Sequence, residues 1–193
     1  MKRIDMKLKY IVLSTLATLA VFATVTFNAC KVDKCKNVSC AYSGVCKEGV
    51  CLCQVGYEGD HCETVTRDKF LGIWDVNEDG TITGPAQYSL SITEGTQIDK
   101  VYIDNFNNVI QGVKIEGICY KDTLYIPSQT VTLPAPLSTT YTVSGKAQIT
   151  DTNPLNQHYY QHAIMNFYYK ITDQNGIVNE FGSLGAGPSI WAK

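Results

Sequence analysis

Residues 35–62 read CKNVSCAYSGVCKEGVCLCQVGYEGDHC and hold six of the chain's eight cysteines. A segment of this length cannot fold on an apolar core alone, because below about 40 residues a chain usually needs crosslinks, metals or oligomerisation. The dense cysteines therefore predict three disulfides and an exported protein. Zinc binding is the weaker alternative, because exported thiols oxidise before they meet metal and the segment lacks the Cys-x2-Cys pairs of zinc sites.

The cysteine spacing, together with the ending CLCQVGYEGDHCE at residues 51–63, resembles an epidermal-growth-factor-like (EGF-like) module. Spacing alone leaves 15 pairings of six cysteines open. The resemblance implies that the first cysteine pairs with the third, the second with the fourth and the fifth with the sixth. The implied bonds are Cys35–Cys46, Cys40–Cys51 and Cys53–Cys62.

The first thirty residues favour export. A basic start precedes residues 11–27, an uncharged and largely apolar run that would span about 26 Å as a helix. That length suits either a signal peptide or a membrane anchor. The run ends in Phe27-Asn28-Ala29-Cys30, which resembles a bacterial lipoprotein signal, and the resemblance implies cleavage before Cys30 and acylation of its thiol. An uncleaved anchor and an ordinary secretory signal remain the alternatives.

Cys119 is the eighth cysteine. If Cys30 carries lipid, Cys119 is a single thiol, whereas without lipid the two could form a fourth bridge. The alternation of Val113, Ile115, Gly117 and Cys119 favours a thiol packed as a small hydrophobe on an apolar strand face. A catalytic role is disfavoured, since only Lys121 lies near enough in sequence to lower the thiol pKa.

The charge distribution argues against nucleic acid as a partner. Residues 1–29 contain four basic residues and one acidic residue, so the remaining chain holds 12 basic and 17 acidic residues. It has no basic patch, and Arg67 is its only arginine. No nucleophile elbow, phosphate loop, paired-carboxylate motif or nucleotide fingerprint is present, which favours a protein that is not an enzyme and needs no cofactor.

Residues 64–193 form a second region that is rich in Tyr, Thr, Ile and Val and has repeated turn signals. Candidate turns include Asp79-Gly80, Asn107-Asn108, Lys121-Asp122 and Asn175-Gly176. Regular hairpins without a helical period predict an all-β antiparallel barrel or sandwich. The candidate strands are 70–76, 87–93, 100–104, 109–116, 118–126, 130–133, 140–150, 163–172, 176–182 and 189–192.

The stretch Phe70-Leu71-Gly72-Ile73-Trp74, followed by the runs at 100–106 and 123–129, resembles the lipocalin-like β domains of surface lipoproteins in Gram-negative bacteria. Lipocalins stack an arginine of the last strand on this tryptophan, and no arginine follows Arg67 here. This departure argues against a closed, ligand-holding barrel. We therefore expect Trp74 to fill the core.

Three apparent metal sites are weak. Residues 75–80 copy the first half of an EF-hand loop, but its twelfth position is Ala86 rather than glutamate, so an acidic hairpin turn is favoured. Calcium-binding EGF-like modules carry an acidic pair and a Glu or Gln before the first cysteine. Here only Asp33 is present before Cys35, so calcium binding by the module is disfavoured. His158 and His162 have metal-pair spacing without an apparent third ligand, so a solvated pair is favoured and no metal is predicted.

These observations predict a signal peptide (1–29), a tether (30–34), an EGF-like module (35–63) and a lipocalin-like β domain (64–193). The expected protein is anchored through lipid on Cys30 in the cell envelope, in the outer membrane of a Gram-negative bacterium, and binds a protein or glycan. The β domain would then have a filled core and an exposed aromatic surface, to which Tyr159, Tyr160 and Tyr168 contribute. The alternative is a carrier of a small apolar ligand in a cavity lined by residues such as Tyr102, Ile115 and Phe167.

Overall fold

A computed structural model describes residues 10–11, 33–151, 160, 162–183 and 185–193. Cys30, and with it the predicted lipidation site, lies outside the described residues. Within the described part of the chain, no helix has the length and apolar character that a membrane span requires.

The first part of the structure is a small disulfide-bonded module. Its strands form two antiparallel pairs, β1 with β2 and β3 with β4. Disulfide bonds join Cys35 to Cys46, Cys40 to Cys51 and Cys53 to Cys62, which are the pairs that the EGF-like resemblance implies. The strands are β1 (Val45–Lys47), β2 (Val50–Leu52), β3 (Tyr57–Glu58) and β4 (Thr64–Val65).

The second part begins with a one-turn 3-10 helix, η1 (Thr66–Lys69), and continues as a series of antiparallel strands. The turn at Lys121-Asp122 falls where the sequence predicts it, between β8 and β9. The strands are β5 (Gly72–Gly80), β6 (Gly84–Glu94), β7 (Lys100–Asp104), β8 (Ile115–Tyr120), β9 (Thr123–Thr132), β10 (Thr140–Asp151), β11 (Ala163–Asp173), β12 (Val178–Phe181) and β13 (Ser189–Ala192).

These strands close into an eight-stranded barrel. Each strand from β5 to β11 pairs with the next one along the chain. Strands β12 and β13 follow each other along the free edge of β11, and β13 also pairs with β5. Together they act as one interrupted eighth strand that closes the circle. The predicted fold class is therefore confirmed in its barrel form.

Alternation along the strands fills the barrel interior. On β11, Ala163, Met165, Phe167, Tyr169 and Ile171 are all buried and face inward, as the sequence pattern predicts. Large side chains dominate this core, and edge-to-face, tilted or stacked contacts join the rings of Phe106, Phe167, Tyr169, Phe181 and Trp191. Its largest fully buried members include Trp74, Trp191, Phe70, Phe106, Phe167 and Phe181.

Trp74 lies at the end of the barrel where η1 packs. Its indole Nε1 donates a hydrogen bond to the carbonyl oxygen of Phe70 at 2.8 Å. The ammonium of Lys193, just after the last strand, lies 5.0 Å from the Trp74 ring centroid and also donates to the carbonyl of Lys69 at 3.0 Å. The expected effect of the missing arginine on barrel closure is therefore wrong, since the barrel is closed and a lysine supplies the cation.

The opposite end of the barrel is plugged by the β7–β8 loop, residues 105–114. Phe106 and Ile110 of this loop are fully buried and form an isolated backbone bridge. The Phe106 ring centroid lies 4.9 Å from that of Tyr169 and 5.9 Å from that of Phe167. The predicted turn at Asn107-Asn108 is present within this loop. The predicted strand 109–116 is wrong except for its last two residues, because the rest of the segment folds inward to fill the barrel end.

The predicted turn at Asp79-Gly80 differs from expectation. Asp79 and Gly80 belong to β5, and the turn follows at residues 81–83. Gly80 faces the interior, where an added Cβ would lie 2.6 Å from Asn179 Oδ1 and 2.8 Å from Phe181 Cζ. The glycine therefore permits a close approach between β5 and β12 rather than a tight hairpin turn.

Candidate functional site: the junction between the module and the barrel

The module packs against the end of the barrel that contains Trp74. Gly56 has a φ of +87°, and a Cβ at this position would lie 2.5 Å from Ile98 Cγ2 in the β6–β7 loop. The amide of Thr66 donates a hydrogen bond to the Gly56 carbonyl at 2.9 Å. A glycine is thus needed both for the backbone conformation and for the close contact between the two parts.

Lys69 links the two parts electrostatically. Its side chain is only 5% exposed, and its Nζ lies 2.7 Å from Glu58 Oε1 of the module and 2.7 Å from Asp122 Oδ1 of the β8–β9 turn. The Tyr160 ring centroid is 5.4 Å from the same ammonium. Burial alone would lower the pKa of Lys69, but hydrogen bonds to Asp122 and Glu58 outweigh it and the pKa is raised. Lys69 therefore stays charged and acts as a clamp between module and barrel.

Arg67, on the same 3-10 helix, holds the β6–β7 loop in place. Its guanidinium donates to the carbonyl of Gln97 at 2.9 Å and lies 2.9 Å from Glu94 Oε2. This loop carries Ile98, which contacts Gly56. The helix η1 therefore positions both surfaces of the junction, one through Lys69 and the other through Arg67.

A groove of about 490 Å³ opens between the module and the barrel, and we call it the junction groove. Its most exposed apolar side chains are Leu52 (54% exposed), Val55 (72%) and Tyr120 (61%). The Lys121 ammonium lies 5.7 Å from the Tyr120 ring centroid at one side. The lining comprises residues 51–59 of the module together with Thr66, Cys119, Tyr120 and Lys121.

Apolar surface continues from the junction groove onto the β1–β2 hairpin. Val45 lies directly opposite Leu52 in the antiparallel register, and Val50 lies opposite Lys47 on the same face. Val45 and Val50 are both exposed. Disulfides fix this hairpin, so the aliphatic side chains cannot turn inward without breaking the module.

A second recess, of about 530 Å³, adjoins the junction groove, and we call it the acidic recess. It is lined by four carboxylates and two ammonium groups, so negative charge is in excess. The groove and the recess share Glu58, Gly59 and Lys121. The charged residues are Glu58, Asp60, Glu63, Asp122, Lys69 and Lys121, and Gly59, Thr64 and Tyr160 complete the lining.

Cys119 lies at the floor of the junction groove as a buried free thiol. Its amide donates to the carbonyl of Asp99 at 2.7 Å, which fixes the end of β8. Burial, with a smaller contribution from the Asp99 carboxylate, raises the pKa of the thiol to about 12. The thiol is therefore protonated near neutral pH and is a poor nucleophile.

A polar cluster inside the barrel was not foreseen from the sequence. The carboxylate of Glu78 is 4% exposed and accepts four hydrogen bonds. Tyr88 Oη and Asn107 Nδ2 donate to Oε1 at 3.0 and 2.8 Å, and Tyr169 Oη and Ser189 Oγ donate to Oε2 at 2.6 Å each. The pKa of Tyr88 is raised, mainly by burial and next by the Glu78 charge. The pKa of Tyr169 is also raised, mainly by burial and next by Tyr88 and Glu78.

The residues considered as metal ligands do not converge. Asp75 and Asp79 are exposed on the outer face of β5, whereas Glu78 faces the interior, because side chains alternate along a strand. The acidic stretch is thus strand and neither a calcium loop nor the predicted hairpin turn. His162 is exposed just before β11, and His158 lies outside the described residues.

The two described tyrosines of the expected aromatic surface lie apart. Tyr168 is exposed on the outer face of β11, Tyr160 lies beside Lys69 at the junction, and Tyr159 is outside the described residues. Of the residues expected to line a cavity, Ile115 and Phe167 are buried in the core. Tyr102 instead points outward, and the Lys114 ammonium lies 5.7 Å from its ring centroid.

Comparison with known proteins places only the module. Residues 37–65 match the family model of the Teneurin-like EGF domain. No curated protein and no solved structure matches the chain significantly. The EGF-like character of this region is therefore supported independently of the structure, whereas the match does not extend to the barrel.

Proposed function

We propose that this chain is a lipid-anchored protein of the cell envelope that binds another macromolecule without catalysing a reaction. One observation carries the proposal: the barrel interior is filled by its own side chains, whereas apolar side chains stay exposed where the module meets the barrel. Exposed apolar surface with a polar rim is typical of contact sites between proteins.

The anchor in this proposal is a lipid on Cys30. Residues 31–34 would be a short tether, so the module would lie next to the membrane and the barrel beyond it. The signal resemblance, and the likeness of the barrel to lipocalin-like domains of surface lipoproteins, favour the outer membrane of a Gram-negative bacterium. The cation of Lys193 over Trp74 supports that likeness.

The chemistry of the described polar residues supports a role without catalysis. The Glu78 carboxylate is already engaged by four donors, so it has little capacity to act as a base. The Cys119 thiol has a pKa of about 12 and is buried. Both groups are buried, and neither is placed where a general base or nucleophile could reach a substrate from solvent.

The alternative function is transport of a small apolar ligand inside the barrel. The closed eight-stranded architecture favours it, since barrels of this size can hold one small ligand. The side chains argue against it, because Phe106, Phe167 and Trp191 contact one another in the space that a ligand would need. A carrier would retain a ligand of defined mass through purification, and native mass spectrometry before and after organic extraction distinguishes the two functions.

The anchor is tested by phase partitioning. Wild-type protein should enter the detergent phase, and Cys30→Ser should move it to the aqueous phase and leave the precursor uncut. Wild-type protein in the aqueous phase with Met1 intact would rule out the anchor.

Partner binding is tested by photo-crosslinking in intact cells. A photoreactive amino acid replaces Val55 beside the junction groove or, as a matched control, Leu137 in the β9–β10 loop at the other end of the barrel. Both positions are highly exposed, at 72% and 69%. We expect a discrete adduct from position 55 and none from position 137. Equal labelling at both positions, or none at either, would contradict the proposal.

A further inference from the structure

We propose that the junction groove and the acidic recess together bind an extended peptide in which a large apolar side chain lies next to a lysine or arginine. This inference rests on the proposed binding function and names the class of partner. Its basis is that an apolar groove and a recess of excess negative charge share one wall, formed by Glu58, Gly59 and Lys121.

The shape of the groove favours a side chain of a polypeptide over a membrane. The groove is concave and about 490 Å³ in volume, which suits one or two apolar side chains. A bilayer would require a protruding apolar surface. The hairpin valines, Val45 and Val50, do protrude, but they continue the rim of the groove, where they would exclude water around an inserted side chain.

The charge of the recess selects the neighbouring residue of the peptide. Four carboxylates face two ammonium groups there, and one of these, Lys69, already bridges Glu58 and Asp122. The remaining excess of negative charge favours a cationic side chain. In an extended peptide successive residues rise about 3.3 Å, so adjacent side chains can reach two adjoining pockets.

The site is also preformed. Disulfides fix residues 51–53 on the module side, and the backbone of Cys119 is bonded to Asp99 on the barrel side. Lys69 and the Gly56–Ile98 contact hold the two walls at a set distance. A rigid site loses little conformational entropy when a peptide binds.

The test uses residues 31–193, which contain all thirteen strands of the described residues and the three disulfides. Random 12-residue peptides displayed on phage are selected on the immobilised protein, and the enriched peptides are synthesised and measured by fluorescence anisotropy. We expect enriched peptides to place Leu, Phe, Ile or Trp within two positions of Lys or Arg. The Leu52→Asp, Tyr120→Asp double variant should weaken their binding by at least about tenfold, because it puts charges into the apolar groove.

Two further variants separate the groove from the recess and from general surface effects. Asp60→Asn should weaken binding by about threefold and reduce its salt dependence, because it removes one charge from the recess rim. The matched control, Ile82→Asp with Leu137→Asp, removes exposed apolar side chains at the other end of the barrel and should leave binding unchanged. Disulfide mapping and circular dichroism check that each variant is folded.

Several outcomes would overturn the assignment. These are a selection that enriches no peptide, enriched peptides that lack the apolar–basic pattern, or binding that the control variant weakens as much as the groove variant does. Binding to phosphatidylcholine–phosphatidylglycerol vesicles that the groove variant abolishes would identify a membrane surface instead. Enriched peptides that bind outside the junction groove and the acidic recess refute this site only. The absence of a photo-crosslinked adduct from position 55 in cells refutes the proposed binding function.

Discussion

Replacing Lys69 by methionine should uncouple the module from the barrel. Methionine keeps an unbranched apolar chain of similar length, so the change removes the ammonium while largely preserving the packing. The two carboxylates that contact this ammonium, Glu58 and Asp122, then lie close together without a cation between them.

The expected loss follows from the burial of the three groups. Removing one partner of a fully buried ion pair costs about 3–5 kcal/mol. Here the lysine side chain is 5% exposed, but those of Glu58 and Asp122 are 27% and 55% exposed, so water screens part of the effect. We therefore expect the free energy of unfolding to fall by about 2–3 kcal/mol.

Urea unfolding followed by tryptophan emission measures this loss. Hydrogen exchange at the Thr66 amide reports on the junction itself, because this amide donates a hydrogen bond to the Gly56 carbonyl in the module. Lys100→Met is the matched control, since Lys100 pairs with Glu116 at 2.7 Å on the outside of the barrel. We expect little change from it. Equal losses from Lys69→Met and Lys100→Met would refute the clamp.

The pH dependence of the clamp has a definite sign. The folded pKa of Lys69 is raised above its ordinary value of 10.5, so its contribution to stability is complete below that pH. The contribution is lost as the pH rises through the folded pKa. Mildly acidic or neutral conditions are therefore the right ones for comparing the variants.

Three further predictions concern single residues. Gly56→Ala should lower the free energy of unfolding by about 2–3 kcal/mol, because alanine is strained in the left-handed conformation and clashes with Ile98. Adding Ile98→Ala should restore part of this loss, and a Gly56→Ala variant with no loss in calorimetry would contradict the contact. Glu78→Gln should lower the free energy of unfolding by about 2–4 kcal/mol, because an amide NH₂ would face hydroxyl donors. A change below about 0.5 kcal/mol would show that this hydrogen-bond network does not stabilise the fold. Because burial raises the pKa of Cys119 from 9.0 to about 12, the unfolding free energy should decline between those pH values, and Cys119→Ala should flatten the decline. A slope that persists unchanged in that variant would contradict the assignment.

Sequence reasoning identified the features that depend on local pattern. Alternation placed Phe167 and its neighbours on β11 in the core, and the cysteine spacing located the EGF-like region. Trp74 fills the core, as expected. These predictions succeeded because a period of two residues and a cysteine spacing are each contained in one stretch of chain.

The features that failed depend on contacts between distant residues. Ile110 belongs to the predicted strand 109–116 and Phe106 precedes the predicted turn, but the sequence alone does not show that this loop folds into a barrel end. Lys69 is unremarkable in sequence, since its partners lie 11 and 53 residues away. The sequence predicts an acidic hairpin turn at residues 75–80, and it does not show the four donors from other segments that make a buried Glu78 carboxylate tolerable.

The loop that plugs the barrel end fills, with a residue of the chain itself, the space that a bound ligand would take in a carrier. A carrier exchanges its cargo with the surroundings, whereas Phe106 is covalently attached and always present at the same effective concentration. Natural or engineered shortening of residues 105–114 would remove that occupant while leaving the wall of strands intact. In this fold a single loop therefore determines whether the barrel is filled or has space for a ligand.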